Sequence, residues 1–222
     1  MLSSTYLTQE KEVIKMGSLF LFLYEILAEL IPFTATFLII AKHQCKKKEP
    51  FKKKDIFIRL LFALYIITVL SVTSAGTVYE LFRDENSFGL RQLNLIPFSN
   101  GIDVLTILNI VMLVPFGFML SIVWKRNGSL RKVMLNGFVF SLLIELSQLL
   151  NIRCTDIDDL IANTLGSVIG YLIYRGFAWI LKLKPKNEEY IMYEPMLYIF
   201  VMLTGRCLFF NEYGAAKLIF GF

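Results

Sequence analysis

Six stretches of this 222-residue chain are apolar over about the length needed to cross a bilayer, and this limits the fold more than any motif does. They run over 18–41, 56–76, 104–123, 133–150, 160–181 and 195–210. Hydrocarbon offers no water to backbone N–H and C=O groups, so only helices and closed barrels span it, and continuous runs of this length are helical. The expected fold is all-α, a polytopic transmembrane helical bundle of about six spans. It has five if the last is re-entrant, since that stretch is short, begins at Pro195 after Glu194 and carries Arg206. Composition agrees: 56% of residues are hydrophobic and 18% charged, against about 25% charged in a soluble domain.

The net charge of +5 says less than its placement. Sixteen of the 23 Lys and Arg residues lie within 42–59, 125–132 and 175–186. The positive-inside rule then puts loops 42–55, 124–132 and 182–194 in the cytoplasm and both ends of the chain outside. A basic balance distributed this way marks orientation, so no nucleic-acid partner is expected. Membrane lipids are the expected partner. Each lysine between Lys42 and Lys54 near an anionic surface contributes about 1 kcal/mol, although the loop reads first as a topology anchor. Residues Met1–Met16 lack the basic start and small-residue cleavage site of a signal peptide, so the first apolar block is expected to be retained.

Several chemistries are excluded by what the chain lacks. Cys45, Cys154 and Cys207 form no close pair, and a Cys154–Cys207 disulfide is not expected. The one histidine, His43, sits in the basic loop, away from the polar residues of the opposite face, so neither a Ser-His-Asp triad nor a His-based metal site is available there. No Gly-rich phosphate loop is present. No cofactor and no metal are therefore expected; Glu145, Asp156 and Asp159 could offer oxygen ligands to Mg²⁺ or Ca²⁺, but their spacing does not single out such a site.

Once the orientation is set, the polar residues in and beside the spans gather at the outer face. Ser141, Glu145 and Gln148 follow i, i+4, i+7 and share one face of the fourth span. A charge at mid-membrane costs about 2.5–3.5 kcal/mol on insertion scales, so Glu145 needs a partner or a proton. The following stretch, Asn151–Asn163, supplies Arg153 as a counter-charge, with Asp156, Asp158 and Asp159 at the start of the fifth span, where a helix N-terminus favours negative charge. Thr155 or Asp156 could cap that helix. In the fifth span Asn163, Gly166, Ser167 and Gly170 share a face, and the Gly166/Gly170 pair allows a neighbouring helix to come close. The alternative is a tight helical hairpin whose Arg and Asp residues only cap the ends and pair with each other, although such a hairpin needs one cap rather than this many ionisable groups.

The third span brings Asn109, Pro115 and Gly117, preceded by Asn94, Pro97 and Asp103. Pro115 lacks an N–H and is expected to kink the helix and free a carbonyl one turn earlier; Asn109 is either a site group or helix-to-helix glue. Glu25 and Glu29, an i, i+4 pair in the first span, would not both ionise easily in low dielectric. Either Arg206 of the last span is their partner, or Glu25 lies at the headgroups.

Four segments in order, NLIPF (Asn94–Phe98), LNIVMLVPFGF (Leu108–Phe118), SLLIELSQ (Ser141–Gln148) and RCTDIDDLIANTLGSVIG (Arg153–Gly170), resemble the VanZ-like family. The resemblance covers about residues 60–181. It divides the chain into an N-terminal span and basic loop (1–59), a VanZ-like membrane core (60–181) and a C-terminal extension with a short span (182–222). It implies a bacterial cytoplasmic-membrane protein of a family whose named member lowers susceptibility to glycopeptides, teicoplanin more than vancomycin. The motif residues that match are Asn94, Pro97, Asn109, Pro115, Gly117, Glu145, Gln148, Arg153, Asp156, Asp159, Asn163, Gly166 and Gly170.

Residues and resemblance together lead to an expected accessory protein of antibiotic resistance or envelope homeostasis. Its ligand-binding residues are Asn94, Asn109, Glu145, Gln148, Arg153, Asp156, Asp159 and Asn163, with Pro97, Pro115, Gly117, Gly166 and Gly170 structural. The ligand would be an amphiphile of the outer leaflet, a lipoglycopeptide antibiotic or a cell-wall precursor, held in a kinked groove beside Glu145, Arg153 and Asn163. Two other readings are a membrane enzyme acting on a cell-wall precursor or lipid headgroup, with Glu145 or Asp156 as general base, and a small amphiphile transporter.

Overall fold

The computed structural model describes residues 2–47, 50–83, 93–94, 96–98, 101, 103–124, 129–151, 155–182 and 193–221. Eight helices are described: α1 (Leu2–Lys46), α2 (Lys53–Val72), α3 (Val78–Arg83), α4 (Val104–Val123), α5 (Leu130–Gln148), α6 (Ile157–Ile180), α7 (Glu194–Phe209) and α8 (Glu212–Phe220). Two short strands, β1 (Leu93–Asn94) and β2 (Thr155–Asp156), pair in parallel, with Leu93 opposite Thr155 and Asn94 opposite Asp156. Each apolar block found in the sequence lies within or largely within one long helix. The periodicity did not foresee α3, α8 or the extension of α1 to Leu2, because these segments are not uniformly apolar.

Among the described residues, three helices are long and apolar enough to cross a membrane individually: Met16–Lys46 of α1, α2 and α4. The chain is an all-α helical membrane bundle. The inward faces of its helices meet in an aromatic and aliphatic core of Phe62, Leu113, Phe116, Leu120, Trp124, Phe140, Ile144 and Tyr198. The outward faces stay apolar as well, with Leu19, Phe20, Leu64, Leu105, Leu108 and Leu172 exposed, the pattern expected where lipid rather than water is the solvent.

The helices alternate in direction, so the bundle has two chemically distinct ends. At one end the start of α2 meets the start of α7. The Arg59 guanidinium donates from Nε and Nη2 to the two carboxylate oxygens of Glu194 at 2.6 and 3.1 Å, and from Nη1 to the Asp55 carbonyl. The Tyr198 hydroxyl donates to the same carboxylate, and Arg59 lies over the Phe51 ring at 4.1 Å. Both charged side chains are fully buried. Such a pair roughly offsets its own desolvation, so its effect is mainly to fix which helices meet and in what register. At the other end gather the last turns of α2, α5 and α7 and the first turns of α4 and α6.

The tightest packing is between α4 and α6, and glycine makes it possible. A Cβ on Gly166 would overlap the Ile110 carbonyl, one on Gly170 the Val114 carbonyl, and one on Gly117 the Ser167 carbonyl. The two backbones therefore touch along two turns, as close small-residue packing allows. Through this stretch α4 runs unbroken from Val104 to Val123 with Pro115 inside it. Three residues before that proline, the Met112 carbonyl accepts a hydrogen bond from the Tyr65 hydroxyl of α2 at 2.8 Å.

Candidate functional site

The second end of the bundle collects the polar residues. Asp156 closes the β1–β2 pairing and caps α6. One of its carboxylate oxygens accepts from the Asp158 N–H at 2.9 Å, the other from Asn94 Nδ2 at 3.0 Å. Its own N–H donates to Glu145 Oε2 at 3.2 Å, which ties the N-terminus of α6 to the last turns of α5. Of the two caps considered from the sequence, Asp156 is the one used. Asp158, in the first turn of α6, accepts from the Phe98 N–H at 2.8 Å and so holds the connection leading into α4. There Phe98 has a positive φ of 57°, a backbone conformation costly for a bulky residue and maintained by its surroundings.

Asn109 of α4 donates to Asp159, the next residue of the same first turn of α6, at 2.5 Å. Asn94, Asn109, Asp156 and Asp159 are all half-buried, forming a polar rim that reaches the surface. Behind it lie Glu145, Gln148 and Asn163, which are buried. Asn163 donates to the Ser141 hydroxyl at 3.0 Å, while its own carboxamide oxygen is buried without a partner. At the mouth of the rim Asp103 caps α4; the Thr106 N–H and hydroxyl hold its carboxyl below the usual carboxylate range.

Gln148 belongs to a different contact from the other expected ligand residues. Its Nε2 donates to the Thr73 carbonyl at 2.7 Å, in the turn that ends α2. Asn151 donates to the next carbonyl, Ser74, at 2.9 Å, and Arg206 of α7 to the one after, Ala75, at 2.8 Å. Gly76 completes the turn against the Ser147 carbonyl, with no room for a Cβ. Arg206 also bonds Glu25 and, at 2.8 Å, Glu29 of α1, so of the two sequence alternatives for this acidic pair the Arg206 partnership is the one found.

Open space is described on another face of α5. A cleft of about 250 Å³ runs between α5 and α7, lined on α5 by Leu143, Leu146 and Leu150. At about 100° per residue this is the face of α5 opposite Ser141, Glu145 and Gln148. The polar face of α5 meets the start of α6 through Glu145 and the 73–76 turn through Gln148, while its apolar face meets the shorter α7. Arg153, the expected partner of Glu145, lies outside the described residues, as does Cys154. Pro97 is exposed in the turn between β1 and α4. Among the described residues no three His, Cys, Asp or Glu side chains converge as a metal-binding group.

The sequence had no means of revealing the Arg59–Glu194 pair or the grip on the 73–76 turn. Both are contacts between residues far apart in the chain. The only local signals were a charged residue inside an apolar run and a Thr-Ser-Ala-Gly break at its end.

These features define an all-helical membrane protein with a polar rim at one end. Residues 56–181 match the VanZ/LLP1 family model, and the chain belongs to this family. It is 31% identical to "Protein VanZ" of Enterococcus faecium over 150 residues, which cover 67% of this chain and 91% of that protein. No solved structure matches it.

Proposed function

We propose that this chain is a multi-pass protein of a bacterial cytoplasmic membrane, with its basic loops cytoplasmic and its polar rim at the outer surface. There it lowers susceptibility to lipidated glycopeptides, or maintains the envelope, by binding the polar part of an outer-leaflet amphiphile. Its core is residues 60–181, with 1–59 and 182–222 as flanking elements. The placement of the rim carries this reading. Asn109 and Asp159 are half-buried and bonded across α4 and α6, and the exposed Leu105 lies one turn before Asn109 on the same face of α4. A polar patch bordering a lipid-facing apolar one suits a ligand with a hydrogen-bonding head and a fatty chain. It disfavours a ligand with no chain, in keeping with the preference for teicoplanin over vancomycin that the family resemblance implies.

The test is the inhibitory concentration of both drugs in a susceptible host expressing the wild type, Glu145→Gln or Asp159→Asn, with membrane levels of each protein matched. The expected result is protection against teicoplanin with the wild type and its loss with both variants. Protection that is equal in all three strains removes the rim from the mechanism; protection with none removes resistance as the role.

A further inference from the structure

Outside the family-matched segment, α1 and α7 bury a charge imbalance. Arg206 stands against both Glu25 and Glu29, two carboxylates facing one guanidinium. Glu29 is fully buried, and its Oε2 has no hydrogen-bond partner. Glu25, one turn earlier, is the accessible member, its side chain 13% exposed. Arg206 also contacts neutral groups, the Ala75 carbonyl and the Phe210 ring, and neither offsets the second negative charge.

The charged groups acting on Glu29 from the elements around it are Arg206 of α7 and Glu25 of α1. On α8, which also packs on α1, Glu212 and Lys217 are exposed. In α3 the Glu80 carboxylate accepts from the Thr77 N–H. The charged residues of α2, Lys53, Lys54, Asp55 and Arg59, lie at the opposite end of the bundle, with Arg59 on Glu194. Two ionised carboxylates beside one guanidinium would leave a net negative charge in a dry site, an arrangement that is costly in low dielectric.

We propose that the Glu25–Glu29–Arg206 cluster is a proton-binding site, in which the buried Glu29 carries one proton at neutral pH and thereby holds α1 against α7. The proton is taken up at the unpartnered Glu29 Oε2, by simple protonation of a carboxylate oxygen with no other bond made or broken. Its departure leaves two anions competing for Arg206, the same side chain that holds the Ala75 carbonyl. The site is therefore linked, through the 73–76 turn, to Gln148 and the polar end of α5. Protonation favours the closed packing of α1 on α7, so raising the pH loosens it.

The test is infrared spectroscopy of the full-length protein in lipid vesicles, following the C=O stretch of protonated carboxylic acids as the pH is raised from neutral. Glu25→Gln and Glu29→Gln each leave one carboxylate for one guanidinium. Each should therefore abolish the whole titrating band rather than half of it. Glu25 is partly exposed, so Glu25→Gln keeps the test valid should Glu29→Gln fail to fold. A wild-type protein without a titrating acid band, or survival of the band in either folded variant, overturns the proposal.

Discussion

Gln148 of α5 and Arg206 of α7 hold the same backbone turn, donating at 2.7 and 2.8 Å to the carbonyls of Thr73 and Ala75. Asn151 takes the carbonyl between them. Three consecutive carbonyls at the end of a helix would otherwise face the interior without donors, so the turn depends on side chains from two other helices. The contact also fastens α7, which lies outside the family-matched segment, to the matched core. Ser74, inside the turn, has a positive φ of 51°, a conformation maintained by these bonds.

Gln148→Leu removes the donor to a buried carbonyl while keeping side-chain volume. The expected loss is about 1–3 kcal/mol of stability, read as a lower thermal midpoint in detergent. Gln148→Glu should be worse still, since it places an anion against a carbonyl oxygen.

The α4–α6 contact predicts opposite outcomes for two glycines of one helix. Gly170→Ala puts a methyl group into the Val114 carbonyl and should cost about 1–3 kcal/mol by forcing the helices apart. Gly176→Ala meets no atom within 4 Å and should stabilise α6 by up to about 1 kcal/mol through helix propensity. Thermal unfolding of the two variants beside the wild type measures both.

Arg59→Met leaves Glu194 buried without its cation and should cost about 3–5 kcal/mol. Adding Glu194→Leu removes the stranded charge, and the double variant should recover most of the loss. A double-mutant cycle on unfolding midpoints gives the coupling. Equal losses for the single and double variants would show that the pair does not act as a unit.

Asp103 predicts a pH effect with a defined sign. Its carboxyl is held below its ordinary range by Thr106, so its contribution is present above the pKa of the unfolded chain. That contribution is lost as the pH falls through the folded value. Asp103→Ala should therefore lower the thermal midpoint at neutral pH, and the difference from wild type should vanish in acid.

Much of the architecture was legible because lipid imposes long apolar runs, and the six expected blocks correspond to α1, α2, α4, α5, α6 and α7. The i, i+3, i+4 pattern likewise placed Gly166 and Gly170 on one face of α6, which is the face that meets α4. The Glu25–Glu29–Arg206 meeting was legible as one of two alternatives, because an intramembrane charge requires a partner. What periodicity could not supply was pairing across sequence distance. Nothing near Gln148 indicates that its partner is Thr73, and Arg59 looks like a basic flank until Glu194 is found against it. The apolar cleft between α5 and α7 was illegible for a related reason: helical spacing gives the face a residue occupies but not which helix covers that face.

The polar rim as an amphiphile site is tested most directly by binding. Purified wild-type protein in lipid nanodiscs is titrated with teicoplanin and with the same glycopeptide stripped of its fatty chain, beside Asp159→Asn. The account predicts saturable binding of the lipidated drug, weakened about tenfold or about 1.4 kcal/mol by the substitution, with little binding of the stripped form. Equal affinity of the wild type and Asp159→Asn for the lipidated drug, or no difference between the two drug forms, would contradict it.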